Sequence, residues 1–220
     1  MIGNKYQYIL FDLDGTLTDP ALGITNSVRY ALRYYGIKVE NRADLYPFIG
    51  PPLKDSFCEY FGFTEEQGIE AVEKYREYFK DKGIFENEVY DGVEDLLNSL
   101  KHCGKKVILA TSKPQIFAER ILKYFNLLQY FDGVVGSELD GRRTDKAEVI
   151  DEAIRLYTDG CREKIVMIGD RKYDIMGALK NQIDAVGVSY GYGTAEELKK
   201  TGNSAVVGSV DELKNLLLSQ

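Results

Sequence analysis

The sequence is poor in cysteine, holds a single histidine, has no excess of positive charge and contains no long apolar run. Each shortage closes a class of explanations. Cys58, Cys103 and Cys161 are odd in number and widely spaced, which excludes a disulfide framework and matches no zinc-ligand spacing. Reduced thiols in a cytoplasmic protein are the expectation. No apolar stretch reaches the roughly 18 residues of a membrane helix. The N-terminal run Tyr8-Ile9-Leu10-Phe11 stops at Asp12, short of the roughly 7 residues of a secretory-signal core. No membrane partner is expected. Lys and Arg number 28 against 35 Asp and Glu, a formal charge of −7. That balance argues against a nucleic-acid polymer as partner, because neutralising phosphates needs a basic face. It leaves room for a small anionic substrate in a local positive pocket. There is no internal repeat, no low-complexity tract and no sign of an obligate protein partner.

What is present is an ordinary folded composition, 44% apolar and 29% charged, with enough apolar residues for a substantial core. A length of 220 residues suits one α/β domain, or a core carrying a smaller insert. Short Val/Ile/Leu-rich runs predict strands at Tyr8–Leu13, Val107–Ala110, Gly133–Val135, Ile165–Ile168, Ala185–Val188 and Ala205–Val207. Most are continuous rather than alternating, the pattern of parallel strands buried on both faces. Helical patterns lie between them. Asp91 with Glu94, Thr194 with Glu197 and Ser209 with Glu212 have capping-box spacing, and Pro114 suits a first helical turn. From about residue 88 the alternation predicts a doubly wound parallel sheet.

The stretch 17–87 differs, with no convincing buried strand. Ile24, Val28, Ala31, Leu32 and Tyr35 share a helical face that Gly36 ends. Leu53–Phe61 predicts a second helix. Thr64 with Gln67 caps a third, carrying Ile69, Val72, Tyr75 and Phe79. This all-helical insert has nine basic against twelve acidic residues over 18–87, so it is no basic nucleic-acid module.

Four signals carry chemistry. The first is Asp12-Leu13-Asp14-Gly15-Thr16, directly after the first strand. Paired carboxylates at a strand end are costly unless a positive group lies between them, and a divalent cation with oxygen ligands meets that need. The second is Gly169-Asp170-Arg171-Lys172-Tyr173-Asp174, after the strand Ile165–Ile168. If a helix starts there, Asp170 and Asp174 share a face. Ligands in open α/β sheets bind beyond the carboxyl ends of strands at a topological switch point. The third is Thr111-Ser112-Lys113-Pro114, where a hydroxyl can reach a phosphoryl oxygen. The fourth is Lys146 at a helix start, a place the helix dipole makes slightly unfavourable for a cation unless acids face it. Taken singly, a bare Asp-x-Asp is no more than a turn, though Asp-x-Asp-Gly-Thr at the end of an apolar strand is much more specific; the second and third signals read as caps, and the fourth as a surface lysine. His102 and Cys103, adjacent on a helix end, point in different directions and read as a surface feature.

In this order the four signals resemble the motifs of the haloacid dehalogenase superfamily, within its phosphatase branch. The resemblance spans the chain: a Rossmann-like α/β core at residues 1–16 and 88–220, and a helical cap at 17–87 that selects substrate. The cap and Gly50-Pro51-Pro52-Leu53 look closest to the phosphoglycolate phosphatase-like group, which includes 5′-nucleotidases. The resemblance implies that Asp12 attacks phosphorus and that Asp14 serves as general acid and then base. It also implies that Thr111, Lys146 and the amides near Gly15 and Thr16 cradle the phosphoryl oxygens. Mg²⁺ would be held by Asp12, the Asp14 carbonyl and Asp170, with Asp174 either a ligand or an acid orienting Lys146. Ser112, Lys113, Lys54 and Arg171 are candidate contacts to the phosphate or to a second anionic group. Tyr30, Tyr34, Phe48 and Phe57 could stack a base, or simply form the cap core. The implied substrate is a small phosphomonoester, phosphoglycolate or a nucleoside 5′-monophosphate. A phosphosugar mutase also keeps both aspartates but looks for a cap histidine, and His102 lies outside the cap. A non-enzymatic aspartyl-phosphate switch is the other alternative.

Overall fold

The structure, a computed structural model, describes residues 5–200 and 205–219, apart from the Lys200 side chain. The chain forms two compact units, Asp19–Glu88 and the remainder. The remainder contains β1 (Tyr8–Phe11), β4 (Lys106–Pro114), β5 (Gly133–Ser137), β6 (Ile165–Gly169), β7 (Asp184–Val188) and β8 (Ala205–Val207). The chain crosses between the units through two short paired strands, β2 (Thr18–Asp19) and β3 (Glu88–Val89).

The six strands of the larger unit run in the order β5-β4-β1-β6-β7-β8, all parallel. Their composition explains this. Ile9, Leu10 and Phe11 of β1 and Ile165 through Ile168 of β6 are fully buried, as strands covered on both faces must be. One covering layer comes from α6 (Lys146–Tyr157) and α7 (Lys172–Lys180). Val149, Ile150 and Ala153 of α6 and Ile175 and Ala178 of α7 join Leu10, Ile108 and Met167 in one cluster.

Register places the motifs. Phe11 pairs with Leu109 on one side and with Ile168 on the other. The residues that follow these three therefore emerge at one edge of the sheet. Asp12 continues the ladder by donating its N–H to the Ile168 carbonyl at 2.9 Å. Since β1 lies between β4 and β6, this edge is the switch point, where the chain turns opposite ways to reach its neighbours.

Local details differ from the sequence expectations. Strand β4 runs past Ala110 to Pro114 through a register shift against β5, so Thr111 to Lys113 lie in irregular extended chain. Pro114 is the N-cap of α5 (Gln115–Tyr124) rather than part of its first turn. The Asp91–Glu94 box does not form: the N-cap of α4 (Val93–His102) is Gly92, at φ 83°, which has no side chain to cap with. The first unit boundary falls at 18/19 instead of 16/17. The turn after β1 closes on itself, with Leu17 and Thr18 N–H both donating to the Leu13 carbonyl, and this holds both residues to the sheet unit. The second boundary falls at 88/89 rather than 87/88. In α9 (Val210–Leu218) Ser209 accepts from the Glu212 N–H at 3.1 Å, as its spacing predicts.

The smaller unit comprises α1 (Ala21–Tyr34), a 3-10 segment Arg42–Phe48, α2 (Leu53–Phe61), α3 (Glu65–Tyr78) and a π turn Phe79–Gly83. The Thr64–Gln67 capping box is complete. Phe48 and Phe57 are buried against each other, centroids 5.0 Å apart, and so belong to its core. Tyr30 and Tyr34 are exposed and donate to Glu77 and Glu70. In α3 the buried face is Gly68, Ala71 and Tyr75, and Ile69 is 56% exposed. Gly68 sets that face: a Cβ there would stand 3.0 Å from Cys58 Sγ, so this side of α3 lies hard against α2. No helix among the described residues is long and apolar enough to cross a membrane.

Candidate active site

Asp12 follows β1, Asp170 follows β6, Lys146 opens α6 and Asp174 sits in the first turn of α7. All four are buried. The Lys146 Nζ lies 2.8 Å from Asp12 Oδ1 and 2.8 Å from Asp174 Oδ1, and it donates to the Ala110 carbonyl at 3.2 Å. A buried ammonium is tolerable only with such partners. Burial pulls its proton affinity down, but Asp12 and Asp174 more than offset that and hold it above the usual lysine value. Burial is also the main influence on Asp174 and Asp170. It drives Asp174 up to about 6 against the pull of Lys146. It drives Asp170 up to about 8, helped by the charges of Asp174 and Asp12.

These carboxylates fit a metal. Ligand oxygens of Asp12, Asp170 and Asp174 lie within 4.8 Å of one another. Asp12 Oδ1 and Asp174 Oδ1 stand at ion-pair distance from Lys146, yet neither accepts an aligned hydrogen bond. Three buried acids facing one lysine leave negative charge uncompensated, and an all-oxygen donor set suits a hard divalent cation such as Mg²⁺. The Asp14 side chain is outside this cluster, so only its backbone carbonyl is available as a ligand.

Asp14 has different surroundings. Its Oδ2 is 2.5 Å from Lys113 Nζ, with both side chains largely buried. Burial raises the Asp14 pKa, the Lys113 charge and hydrogen bond oppose the rise, and the net direction is up. Gly15 makes the intervening turn possible. Its φ is 80°, and a Cβ there would lie 2.3 Å from Asp170 Oδ2. The Gly15 N–H donates to the Thr18 carbonyl at 2.8 Å, so this amide is engaged within the turn. Thr16 is buried and turns its hydroxyl towards Asp170 Oδ1, 3.4 Å away.

Thr111 is buried at the end of the regular part of β4, and its Oγ1 accepts from the Lys113 N–H at 3.3 Å. Ser112, between them, is half-buried. Arg171 directs its guanidinium to Glu197, 3.5 Å away, while its backbone N–H donates to Asp174 Oδ2 at 3.0 Å. Lys54 belongs to the helical unit, where it pairs with Glu65 at 3.0 Å. His102 bonds within its own helix, Nδ1 to the Asn98 carbonyl at 2.9 Å, and Cys103 beside it is exposed.

The sequence reading passed over the segment Ser189–Gly193, which follows β7. The Tyr192 N–H donates to Asp170 Oδ2 at 2.7 Å, and the Tyr190 hydroxyl donates to the Thr16 carbonyl at 3.0 Å. The available signal was Gly191 and Gly193 just past a strand end, which marks a close backbone approach.

Comparison with known proteins identifies the family. The family model for haloacid dehalogenase-like hydrolases matches residues 9–188. A 5′-nucleotidase of Pseudomonas aeruginosa is 46% identical over 196 residues, covering 89% of this chain and 88% of its own. Tyrosine-protein kinase PtkA of Mycobacterium tuberculosis is 36% identical over 217 residues, 98% of this chain and 74% of its own. The crystal structure of a predicted phosphatase from Clostridium acetobutylicum superposes with a TM-score of 0.94 at 52% identity, covering 98% of this chain and 100% of that one. The chain belongs to the haloacid dehalogenase-like hydrolase family, in its phosphatase branch.

Proposed function

We propose that the protein is a Mg²⁺-dependent phosphomonoester hydrolase that works through an aspartyl phosphate on Asp12. The supporting observation is the contrast between two aspartates two residues apart. Asp12 lies with Lys146 and within the acidic cluster, whereas Asp14 is turned away to Lys113. Groups with such different environments can take different roles.

In this reading an Asp12 carboxylate oxygen attacks phosphorus and the ester P–O bond breaks. Asp14, whose burial favours the neutral acid, gives a proton to the leaving oxygen. Asp14 then takes a proton from water as the water oxygen attacks phosphorus, releasing inorganic phosphate and regenerating the Asp12 carboxylate. Lys146, Thr111 and Ser112 bind phosphoryl oxygens and hold the group in line. Bound by Asp12, Asp170, the Asp14 carbonyl and, directly or through water, Asp174, Mg²⁺ would neutralise and orient the transferring group. The helical unit selects the leaving group. The 46% identity to a 5′-nucleotidase supports nucleoside 5′-monophosphates as the first substrates to try, with phosphoglycolate beside them.

The test is phosphate release from a panel of nucleoside monophosphates, phosphoglycolate and sugar phosphates, with Mg²⁺ or with chelator, beside Asp12→Asn. Mg²⁺-dependent release that disappears in the variant is expected. Release that persists in Asp12→Asn, or survives chelation, overturns the proposal.

A further inference from the structure

We propose that the segment Ser189–Gly193 is a clamp on the metal-binding carboxylate of Asp170, with Tyr190 as the positioning residue that ties the clamp to the Asp12–Asp14 turn. The inference rests on the metal-site reading above and assigns work to residues outside the four motifs.

Asp170 is fully buried, and its two oxygens are gripped from different elements. Oδ2 accepts from the Tyr192 N–H at 2.7 Å, and Oδ1 faces the Thr16 hydroxyl at 3.4 Å. The clamp backbone lies directly on the carboxylate. A Cβ at Gly191 would stand 2.2 Å from the Gly15 carbonyl and 2.6 Å from Asp170 Oδ2. One at Gly193 would stand 1.8 Å from the Asp170 carbonyl. Only a chain without side chains at these points can approach so closely.

Tyr190 anchors the approach. Its hydroxyl donates to the Thr16 carbonyl at 3.0 Å, and its ring meets Tyr90 edge-on at 5.2 Å. Tyr90 in turn donates its N–H to the Leu17 carbonyl at 3.1 Å. Tyr190 therefore contacts the turn carrying Asp14 directly and again through Tyr90, while its neighbour Tyr192 holds Asp170. Asp170 shares its site with Asp12 and Asp174, and these contacts fix which way its carboxylate faces them. Groups that orient metal ligands in this way contribute to metal affinity as well as to rate.

The test is Tyr190→Phe, which removes the hydroxyl and keeps the ring against Tyr90. Mg²⁺ affinity is measured by titration calorimetry and the Mn²⁺ environment by electron paramagnetic resonance. Tyr130→Phe is the control, removing a hydroxyl that donates to Glu94 and has no link to Asp170. Tyr190→Phe is expected to weaken Mg²⁺ about tenfold and to alter the Mn²⁺ spectrum. KM for phosphomonoester at saturating Mg²⁺ should stay within about twofold, and the control should match the parent throughout. Gly191→Ala, pressed against Asp170, should weaken the metal further, and its folded fraction is read from circular dichroism. Mg²⁺ affinity equal to the parent in whichever of the two variants folds overturns the clamp. So does a loss shared equally by Tyr130→Phe. Metal binding is read without substrate, so a failure of the phosphatase reading in the substrate panel is a separate result from a failure of the clamp.

Discussion

Lys146 and Asp174 meet at 2.8 Å from the first turns of two different helices that start at the same sheet edge. The lysine sits where its helix dipole disfavours a cation, and Asp174 and Asp12 supply the compensation. The pair joins α6 to α7 within the acidic cluster, so one side chain serves both the packing of the layer and the charge balance of the site.

Replacing Lys146 by Met separates these effects. The volume is kept and the charge lost, leaving three buried carboxylates without a cation. Without metal, the variant should lose about 3–5 kcal/mol of stability and should bind Mg²⁺ at least as well as the parent. Urea unfolding with chelator and with saturating Mg²⁺ measures the difference, and Mg²⁺ should recover more stability in the variant. Phosphatase turnover should fall by about 100-fold or more, since a phosphoryl ligand is gone. An unchanged metal-free unfolding midpoint would contradict the charge argument.

Asp14 should be separable from Asp12 by trapping. With Asp14→Asn, attack by Asp12 can still occur on a substrate with a good leaving group, but water has no base. Steady-state turnover should drop by about 10²–10⁴-fold, and a phosphorylated protein should accumulate on acid quench with labelled substrate. Asp12→Asn should show no label. Equal labelling in both variants would move the nucleophile elsewhere.

Gly15 carries a steric prediction. At φ of 80° any side chain is strained, and here the Cβ would enter the Asp170 carboxylate at 2.3 Å. Gly15→Ala should cost at least about 1 kcal/mol from the backbone alone. Displacing Asp170 by an ångström should lower turnover about 100-fold. Gly36, also at positive φ but with nothing within 4 Å of its Cβ position, is the matched comparison, and Gly36→Ala should lose stability with little loss of rate.

The sequence made the strand pattern readable because parallel strands buried on both faces leave unbroken Val/Ile/Leu runs. The acids were readable because each follows such a run, at Asp12 and at Asp170. The segment Ser189–Gly193 was not, since Tyr192 holds Asp170 through its backbone N–H and the Tyr190 hydroxyl reaches a backbone carbonyl, contacts that no pattern of acids or apolar spacing marks. Ile69 misled for a related reason. A helical face is normally read from its largest apolar residues, and α3 instead packs through Gly68, chosen for closeness rather than area. Asp91 lost its cap to Gly92, whose positive φ has no marker in a pattern of hydrophobic spacing.

The acidic cluster also predicts how stability varies with pH. Asp170 is raised to about 8 and Asp174 to about 6, from the 3.8 of an unburied aspartate. The folded metal-free protein therefore retains protons that the unfolded chain has released. Stability from these groups is full below about pH 4 and is lost as pH rises through 6 and then 8. The melting temperature of the chelated protein should fall between about pH 4 and pH 8, and Asp170→Asn should flatten the upper part of that fall. Mg²⁺ acts in the opposite sense. It requires ionised carboxylates, so its binding displaces the retained protons and strengthens with pH. The rise in melting temperature caused by saturating Mg²⁺ should then be small at pH 5 and largest near pH 9, a trend that scanning calorimetry at several pH values measures directly. A Mg²⁺ shift that is constant across this range would mean that Asp170 and Asp174 are already ionised without metal, and that the burial argument for them is wrong.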